Sequence, residues 1–144
     1  MKKRVLLAVD GSPGGSQAIA HVAATAGPDN TEITLVYVIE WSPYSFNTPE
    51  ENAERHKRRE SEIKRARESV VLPAQQSLEG DGFTVSTEVR HGPPAETLIH
   101  VAKEQGVDEI VIGRRGQSGI KSLLFGSVAG SLIQTSDVPI VVVP

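Results

Sequence analysis

No cysteine occurs among the 144 residues, and this absence excludes a disulfide scaffold, a thiol nucleophile and any cysteine-ligated metal site. The chain also has little net charge, formally −3, so its overall balance favours neither nucleic acid nor an anionic membrane as a partner. The first apolar run, residues 5–9, ends at Asp10 and is too short for a signal-peptide core or a membrane span. These absences leave a single-domain globular chain over residues 1–144, which we expect to be soluble and cytoplasmic.

The familiar catalytic and phosphate-binding motifs are missing as well. The sequence has no G-x-x-x-x-G-K-[ST] loop and no G-x-G-x-x-G fingerprint, which argues against standard NTPases and dinucleotide-binding enzymes. The four histidines fall in separate segments without the spacing of a metal site, and only His91 stands beside a glycine turn near a predicted strand end. Because no acid–base pair is visible, the sequence predicts no catalytic residue and at most slow hydrolysis.

Short apolar runs alternate with helical patterns along the whole chain. The runs predict five strands, of which the third is more exposed because its apolar and polar residues alternate; they cover residues 5–9, 33–39, 83–89, 108–113 and 138–143. Helices are predicted between them over 16–26, 50–80 with an interruption at Pro73, 94–106 and 127–136. Parallel strands need crossover helices, so the pattern predicts an α/β, doubly wound five-stranded parallel sheet with helices on both faces.

The segment between the second strand and the third is less specific. Residues 50–68 are dense in charges of both signs, and glutamates stand four residues before basic residues, which predicts a solvated helix face and not a nucleic-acid surface. The aromatic loop over 41–46 is equally consistent with a partner-binding surface and with an apolar lid.

The connection from the fourth strand to the last helix contains the pattern G-x-x-G-x9-G-S, read as GRRGQSGIKSLLFGS. Its first two glycines, Gly113 and Gly116, would let the backbone approach an anion and adopt positive φ. Ser127 would cap the last helix or donate to a phosphate, at a helix end whose dipole favours negative charge. Three cations accompany the glycines, namely Arg114, Arg115 and Lys121. On local chemistry alone, an ordinary strand-to-helix turn explains the glycines equally well.

Three segments of the chain, VLLAVDGS, GRRGQSGIKSLLFGSVAGSLI and VPIVVVP, resemble the universal stress protein family in its ATP-binding subclass. The resemblance extends over essentially the whole chain. It implies a Rossmann-like fold of the adenine nucleotide alpha hydrolase type with strand order 3-2-1-4-5. It also implies ATP as ligand, with Mg²⁺ or Mn²⁺, and a homodimer paired through the C-terminal strand.

The resemblance further implies which residues would contact ATP. The adenosine part would meet Ala8, Val9, Asp10, Val38, Ile112 and Gly113, and the phosphates would meet Arg115, Gly116, Gly126, Ser127 and Val128. Each of these residues also has an ordinary structural explanation. Asp10 suits a turn, Val38 suits an apolar core, and Ser127 suits a helix cap without any ligand.

The function implied is a dimeric, nucleotide-dependent switch in stress response or regulation. Two alternatives stay open, a slow ATPase activated by a partner protein and a dimeric interaction module that binds no nucleotide. The predicted partners are ATP, a second copy of the chain and an unidentified protein, with no nucleic acid and no membrane. An apolar edge strand over 138–143 supports the second copy, since such an edge aggregates when it is left unpaired.

Overall fold

The β-branched segments of the sequence form strands, and the segments between them form helices. The computed structural model describes residues 2–40, 49–114 and 127–144, without the side chains of 49–52 and 55. The strands are β1 Lys3–Ala8, β2 Thr31–Ile39, β3 Thr84–His91, β4 Glu109–Gly113 and β5 Ile140–Val143. The helices are α1 Pro13–Thr25, α2 Pro49–Ala66, α3 Leu72–Gly80, α4 Pro94–Gln105 and α5 Ser127–Thr135, with a π-helical turn, Arg67–Val71, between α2 and α3.

The five strands form one parallel sheet of order β3-β2-β1-β4-β5, which confirms the doubly wound fold and its strand order. The chain builds outward from β1 through β2 to β3 and then crosses back to place β4 on the other side of β1. The winding direction therefore reverses between β1 and β4. In sheets of this kind, ligands bind at that point, beyond the carboxyl ends of the strands.

Alternate residues of the strands enter two apolar clusters on opposite faces of the sheet. On one face, Val5 and Leu7 pack with α1 and α3, whereas on the other Leu6 and Ala8 pack with α4 and α5. Leu6 and Leu7 are fully buried, as expected for the central strand of a sheet covered on both faces. The continuous apolar run at the start of the sequence is thus explained by two-sided burial.

The long helix after β2 is interrupted before Pro73, and the interruption takes the form of a π turn. Pro73 has no N–H to donate to the carbonyl of Ser69, and its ring would clash with that carbonyl in regular α geometry. The chain widens instead, and the N–H of Leu72 donates to the carbonyl of Arg67, five residues earlier. The helix continues through Pro73 and does not end there.

Among the element boundaries that differ from their sequence predictions, two are set by a serine side chain. Helix α1 begins at Pro13, three residues early, because the hydroxyl of Ser12 accepts the N–H of Gly15 at 3.2 Å and caps the helix. Strand β5 begins only at Ile140, because the N–H of Val138 donates to the hydroxyl of Ser136 at 3.1 Å. Pro139, which follows, has no N–H to donate to the sheet.

The amino ends of the strands are held by charged side chains. The main-chain N–H of Arg4 donates to Asp108 at 2.8 Å, and its guanidinium donates to the carbonyl of Gln105 at 2.9 Å. Lys3 forms an ion pair with Glu109 at 3.0 Å. These contacts join β1 to the end of α4 and the start of β4. In the part of the chain that the structure describes, no helix has the length and apolar character needed to cross a bilayer.

Candidate functional site

A cleft of about 430 Å³ opens at the carboxyl ends of β1, β2 and β4, where the winding direction reverses. Its volume lies within the range of about 300–1,000 Å³ that is usual for small-ligand sites. Every predicted contact residue that the structure describes lines this cleft, namely Ala8, Val9, Asp10, Val38, Ile112, Gly113, Ser127 and Val128. The other three, Arg115, Gly116 and Gly126, lie outside the described residues, as do Lys121 and the aromatic loop over 41–46.

The cleft combines apolar walls with a few charged groups. Its apolar part comes mainly from the α4–α5 side of the sheet and includes Ala8, Val36, Val38, Leu98, Ile112 and Ala129. Charged side chains reach the lining at three strand ends, from Asp10 after β1, Glu40 after β2 and Arg114 after β4. Such a site can hold a ligand that is flat and apolar at one end and charged at the other.

The turn between β1 and α1 is organised by its own hydrogen bonds. The N–H of Ser12 donates to Oδ1 of Asp10 at 2.9 Å, and Gly11 between them has a φ of 78°, in the left-handed region. Asp10 therefore stabilises this turn, as the sequence suggested, and any contact of Asp10 with a ligand would be additional. Because Pro13 has no N–H and Ser12 accepts the N–H of Gly15, the first turn of α1 presents few donors to an anion.

Helix α5 also begins at the cleft. Ser127 is its first residue and is exposed. Val128 and Ala129 follow in the cleft lining. The first N–H groups of a helix have no acceptor within the helix, and its dipole favours negative charge there. Helix α5 is therefore better suited than α1 to an anionic group.

Gly113 is required for a reason other than the one its motif suggests. Positive φ angles occur in the described chain at four glycines, and Gly113 is not one of them. A Cβ atom at position 113 would instead lie 2.3 Å from the carbonyl oxygen of Gly14, far inside the 3.0 Å below which real Cβ contacts essentially never fall. The expectation of positive φ at Gly113 is therefore wrong, and a direct contact between two backbones explains the glycine.

Several lining residues were not among those predicted, notably Ser12, Gly15, Tyr37, Glu40, Pro94 and Leu98. Burial raises the pKa of Tyr37 above its ordinary value, and the nearby negative charges of Asp10 and Glu62 raise it further. The Tyr37 phenol is thus kept in its neutral form at the cleft. Its position at the end of β2, where ligands of this fold bind, was the available signal.

His91, at the end of β3, contacts a carboxylate. Its Nε2 lies 3.2 Å from Glu62 of α2, and 11% of its side chain is exposed. Across residues 2–40, 49–114 and 127–144, no three histidine, aspartate or glutamate side chains converge in a way that could hold a metal ion. A divalent cation in the cleft would therefore need oxygen ligands from a bound phosphate in addition to those of the protein.

The comparisons with known proteins agree with this architecture. The family model described as "Universal stress protein family" matches residues 1–144. Universal stress protein YxiE of Bacillus subtilis is 27% identical over 150 residues, with 99% of each chain covered. The solved structure of MJ0577 from Methanocaldococcus jannaschii superposes with a TM-score of 0.83 at 27% identity, covering 99% of this chain and 96% of that one.

A nucleotide complex also occurs among the similar structures. The universal stress protein of Archaeoglobus fulgidus, solved in complex with dAMP, has a TM-score of 0.64 at 20% identity and covers 100% of this chain and 98% of that chain. At this identity the likeness concerns the fold alone.

Proposed function

The chain belongs to the universal stress protein family, and we propose on this basis that it binds ATP, with Mg²⁺ or Mn²⁺, and acts as a dimeric nucleotide-dependent switch in the cytoplasm. One observation carries the proposal. The contact residues inferred from the family resemblance come from four separate segments, and those that the structure describes line a single cleft at the reversal of the sheet. The dAMP complex of the Archaeoglobus fulgidus protein, which has the same fold, supports an adenine nucleotide as the ligand class.

The cleft residues divide between the two ends of such a ligand. The apolar groups of Ala8, Val38 and Ile112 suit the flat base and the ribose, which lose water when they enter the cleft. The start of α5, with the hydroxyl of Ser127, suits the phosphates, and Arg114 adds a guanidinium that can bind phosphate through two hydrogen bonds. In this arrangement the protein binds and orients the nucleotide.

The ligands of the cation would come partly from the protein and partly from the nucleotide. Mg²⁺ in nucleotide sites is usually held by one or two carboxylates together with phosphate oxygens and water. Asp10 and Glu40 are the carboxylates that line the described part of the cleft. Neither histidine nor lysine occurs in that lining, so the described residues provide few proton-transfer groups for rapid hydrolysis. We therefore propose that ATP is held and not turned over rapidly.

The proposed dimer rests on the exposed edge of the sheet. Strand β5 reads IVVV and has no charged residue, and Ile140, Val141 and Val142 are only half-buried in the single chain. Ile133, on the neighbouring helix α5, is 47% exposed. Pairing of two β5 strands would satisfy the backbone groups of the edge and cover this apolar surface.

Isothermal titration with ATP–Mg²⁺ tests the nucleotide function. We expect the wild type to bind and Val128→Trp, which places an indole in the cleft, to lose at least about tenfold in affinity, or about 1.4 kcal/mol. Leu72→Trp is the matched control, because Leu72 is 43% exposed on α3 and lies outside the cleft, and it should bind as the wild type does.

A wild type that binds no ATP would refute the proposal and favour the interaction module. Phosphate release measured with and without cell extract then separates a switch from an ATPase that a partner activates. Light scattering after size-exclusion chromatography tests the dimer, and a monodisperse monomer at micromolar concentration would contradict it.

A further inference from the structure

The first turn of α1 rests directly on the last residue of β4. A Cβ atom at position 113 would lie 2.3 Å from the carbonyl oxygen of Gly14, 2.4 Å from its carbonyl carbon and 2.8 Å from its Cα. All three atoms belong to the backbone, so no side chain can rotate away to make room. The two residues are far apart in sequence and meet only because the sheet places β4 beside β1.

Neither side of this contact is free to move independently of the cleft. The N–H of Arg114, the residue after Gly113, donates to the carbonyl of Val143 at 2.7 Å and ties the end of β4 to β5. On the other side, Ser12 accepts the N–H of Gly15 and donates its own N–H to Asp10. A displacement of Gly14 is therefore transmitted through the cap to the Asp10 carboxylate.

From this geometry we infer that Gly14 and Gly113 form a positioning joint that sets the distance between the Asp10–Ser12 turn and the end of β4. The inference rests on the proposed nucleotide site and assigns Gly113 a positioning role instead of the adenosine contact or the close approach to an anion expected from the sequence. The turn, the end of β4 and the start of α5 all line the cleft. A methyl group at position 113 would push the first turn of α1 outward by about 1 Å to reach an ordinary separation of about 3.5 Å.

Gly15 provides a matched control in the same turn. A Cβ atom at position 15 would lie 3.4 Å from Oδ1 of Asp10 and 3.5 Å from its nitrogen, which is ordinary contact. Gly130 of α5 provides a second control, since a Cβ atom there would meet nothing within 4 Å. Alanine at position 15 adds a methyl group to the cleft lining and alanine at position 130 adds one in open space, and neither separates α1 from β4.

The test measures amide exchange without nucleotide and binding with it. Both Gly15 and Ser16 donate their N–H groups to Ser12. In the nucleotide-free protein, we expect Gly113→Ala to speed the exchange of these two amides at least about tenfold. Gly130→Ala should leave the exchange rates of both amides within about twofold of the wild type, and Gly15→Ala should do the same for the Ser16 amide. By calorimetry, Gly113→Ala should lower the affinities for adenosine and for ATP by similar factors, because a displaced turn affects the nucleoside part that both ligands share.

Two results would contradict the proposal that Gly14 and Gly113 form a positioning joint. Wild-type exchange rates in Gly113→Ala would do so, as would a loss confined to ATP, which would identify Gly113 as a phosphate contact. If Gly113→Ala does not fold, the wild type decides by NMR, since the α-protons of Gly14 and Gly113 should show a nuclear Overhauser effect without nucleotide and its absence would refute the contact. A wild type that binds no nucleotide refutes the proposed function, while the exchange and NMR results still decide the joint.

Discussion

The two ends of the sheet use their charged side chains differently. At the amino end, Lys3 pairs with Glu109, and Arg4 contacts Asp108 and Gln105, so these groups join neighbouring elements. At the carboxyl end, charged groups follow three strands and line a cleft of about 430 Å³. Charge at the amino end therefore joins neighbouring elements, whereas charge at the carboxyl end lines the cleft in which we propose that the nucleotide binds. Variants at the two ends should therefore separate unfolding free energy from nucleotide affinity.

The largest expected effect is that of Arg114→Glu on ATP binding. Reversing this charge at the cleft should lower ATP affinity by at least about tenfold and leave adenosine within about twofold, since only ATP has phosphates. The backbone bond of Arg114 to Val143 is retained, so stability should change little. Arg65→Glu makes the same charge change on the exposed face of α2 and is the calorimetric control. An equal loss of ATP affinity in both variants would show a general electrostatic effect and contradict a contact between Arg114 and the phosphates.

Ser12→Ala should lower the unfolding free energy although Ser12 lies at the cleft end of the sheet. Ser12 is 3% exposed and caps α1, and removal of an N-cap hydroxyl costs about 1 kcal/mol, within a range of about 0.5–2. Urea denaturation measures the loss. Ser16→Ala, at an exposed position in the same helix, should change the unfolding free energy by less than about 0.5 kcal/mol. Equal effects of the two variants would contradict the capping role.

Arg4→Ala, at the amino end, should lower the unfolding free energy and leave ATP affinity unchanged. The variant loses the contact with the Gln105 carbonyl and the ion pair with Glu32, and both are solvent-exposed, so a loss of about 0.5–1 kcal/mol in unfolding free energy is expected. Its ATP affinity should stay within about twofold of the wild type, because Arg4 is remote from the cleft lining. A clear change in affinity with unchanged stability would reverse the proposed division between the two ends.

The smallest effect concerns a charged cluster along the β3 edge, where Arg90 contacts Glu88 and Glu104. The hydrogen bond from Arg90 holds the pKa of Glu104 below its ordinary value of 4.5. A lowered carboxyl pKa contributes stability that is present above the unfolded-state pKa and is lost as the pH falls through the folded-state value. The wild type should therefore have a slightly higher urea midpoint than Glu104→Gln at pH 7, and the difference should vanish near pH 3. A difference that grows on acidification would contradict this assignment.

Much of the fold was predictable because its signals are local. Continuous apolar runs identified four strands and an alternating pattern identified the third, and Gly106, in the left-handed conformation after α4, ends that helix where the sequence indicated. Boundaries were less predictable where one side chain decides them. The hydroxyl of Ser12 starts α1 early, and the bonds of Ser136 with Val138 delay β5.

The position of the candidate site could be predicted from the sequence, whereas the physical reasons for several of its residues could not. Asp10, Val38 and Ser127 were inferred from a family resemblance, and the sheet brings their three segments to one cleft. Tyr37 and Glu40 were missed, because their only signal was a position at the carboxyl end of β2 and their local sequence contains no motif. The reason for glycine at position 113 was also missed, since the pattern G-x-x-G suggests a flexible loop and contains no information about Gly14.

The sequence by itself determined a parallel α/β sheet, because uninterrupted β-branched runs between helical segments can be buried on both faces only in such an arrangement. It also showed that the net charge is small and that glycines recur in the connection from the fourth strand to the last helix. Only the tertiary structure decided that Gly113 lies against Gly14, that Arg4 closes one end of the sheet and that Asp10 and Arg114 share a cleft at the other. Those relations depend on strand order and register, which bring distant residues within contact distance, and local patterns do not specify such distances.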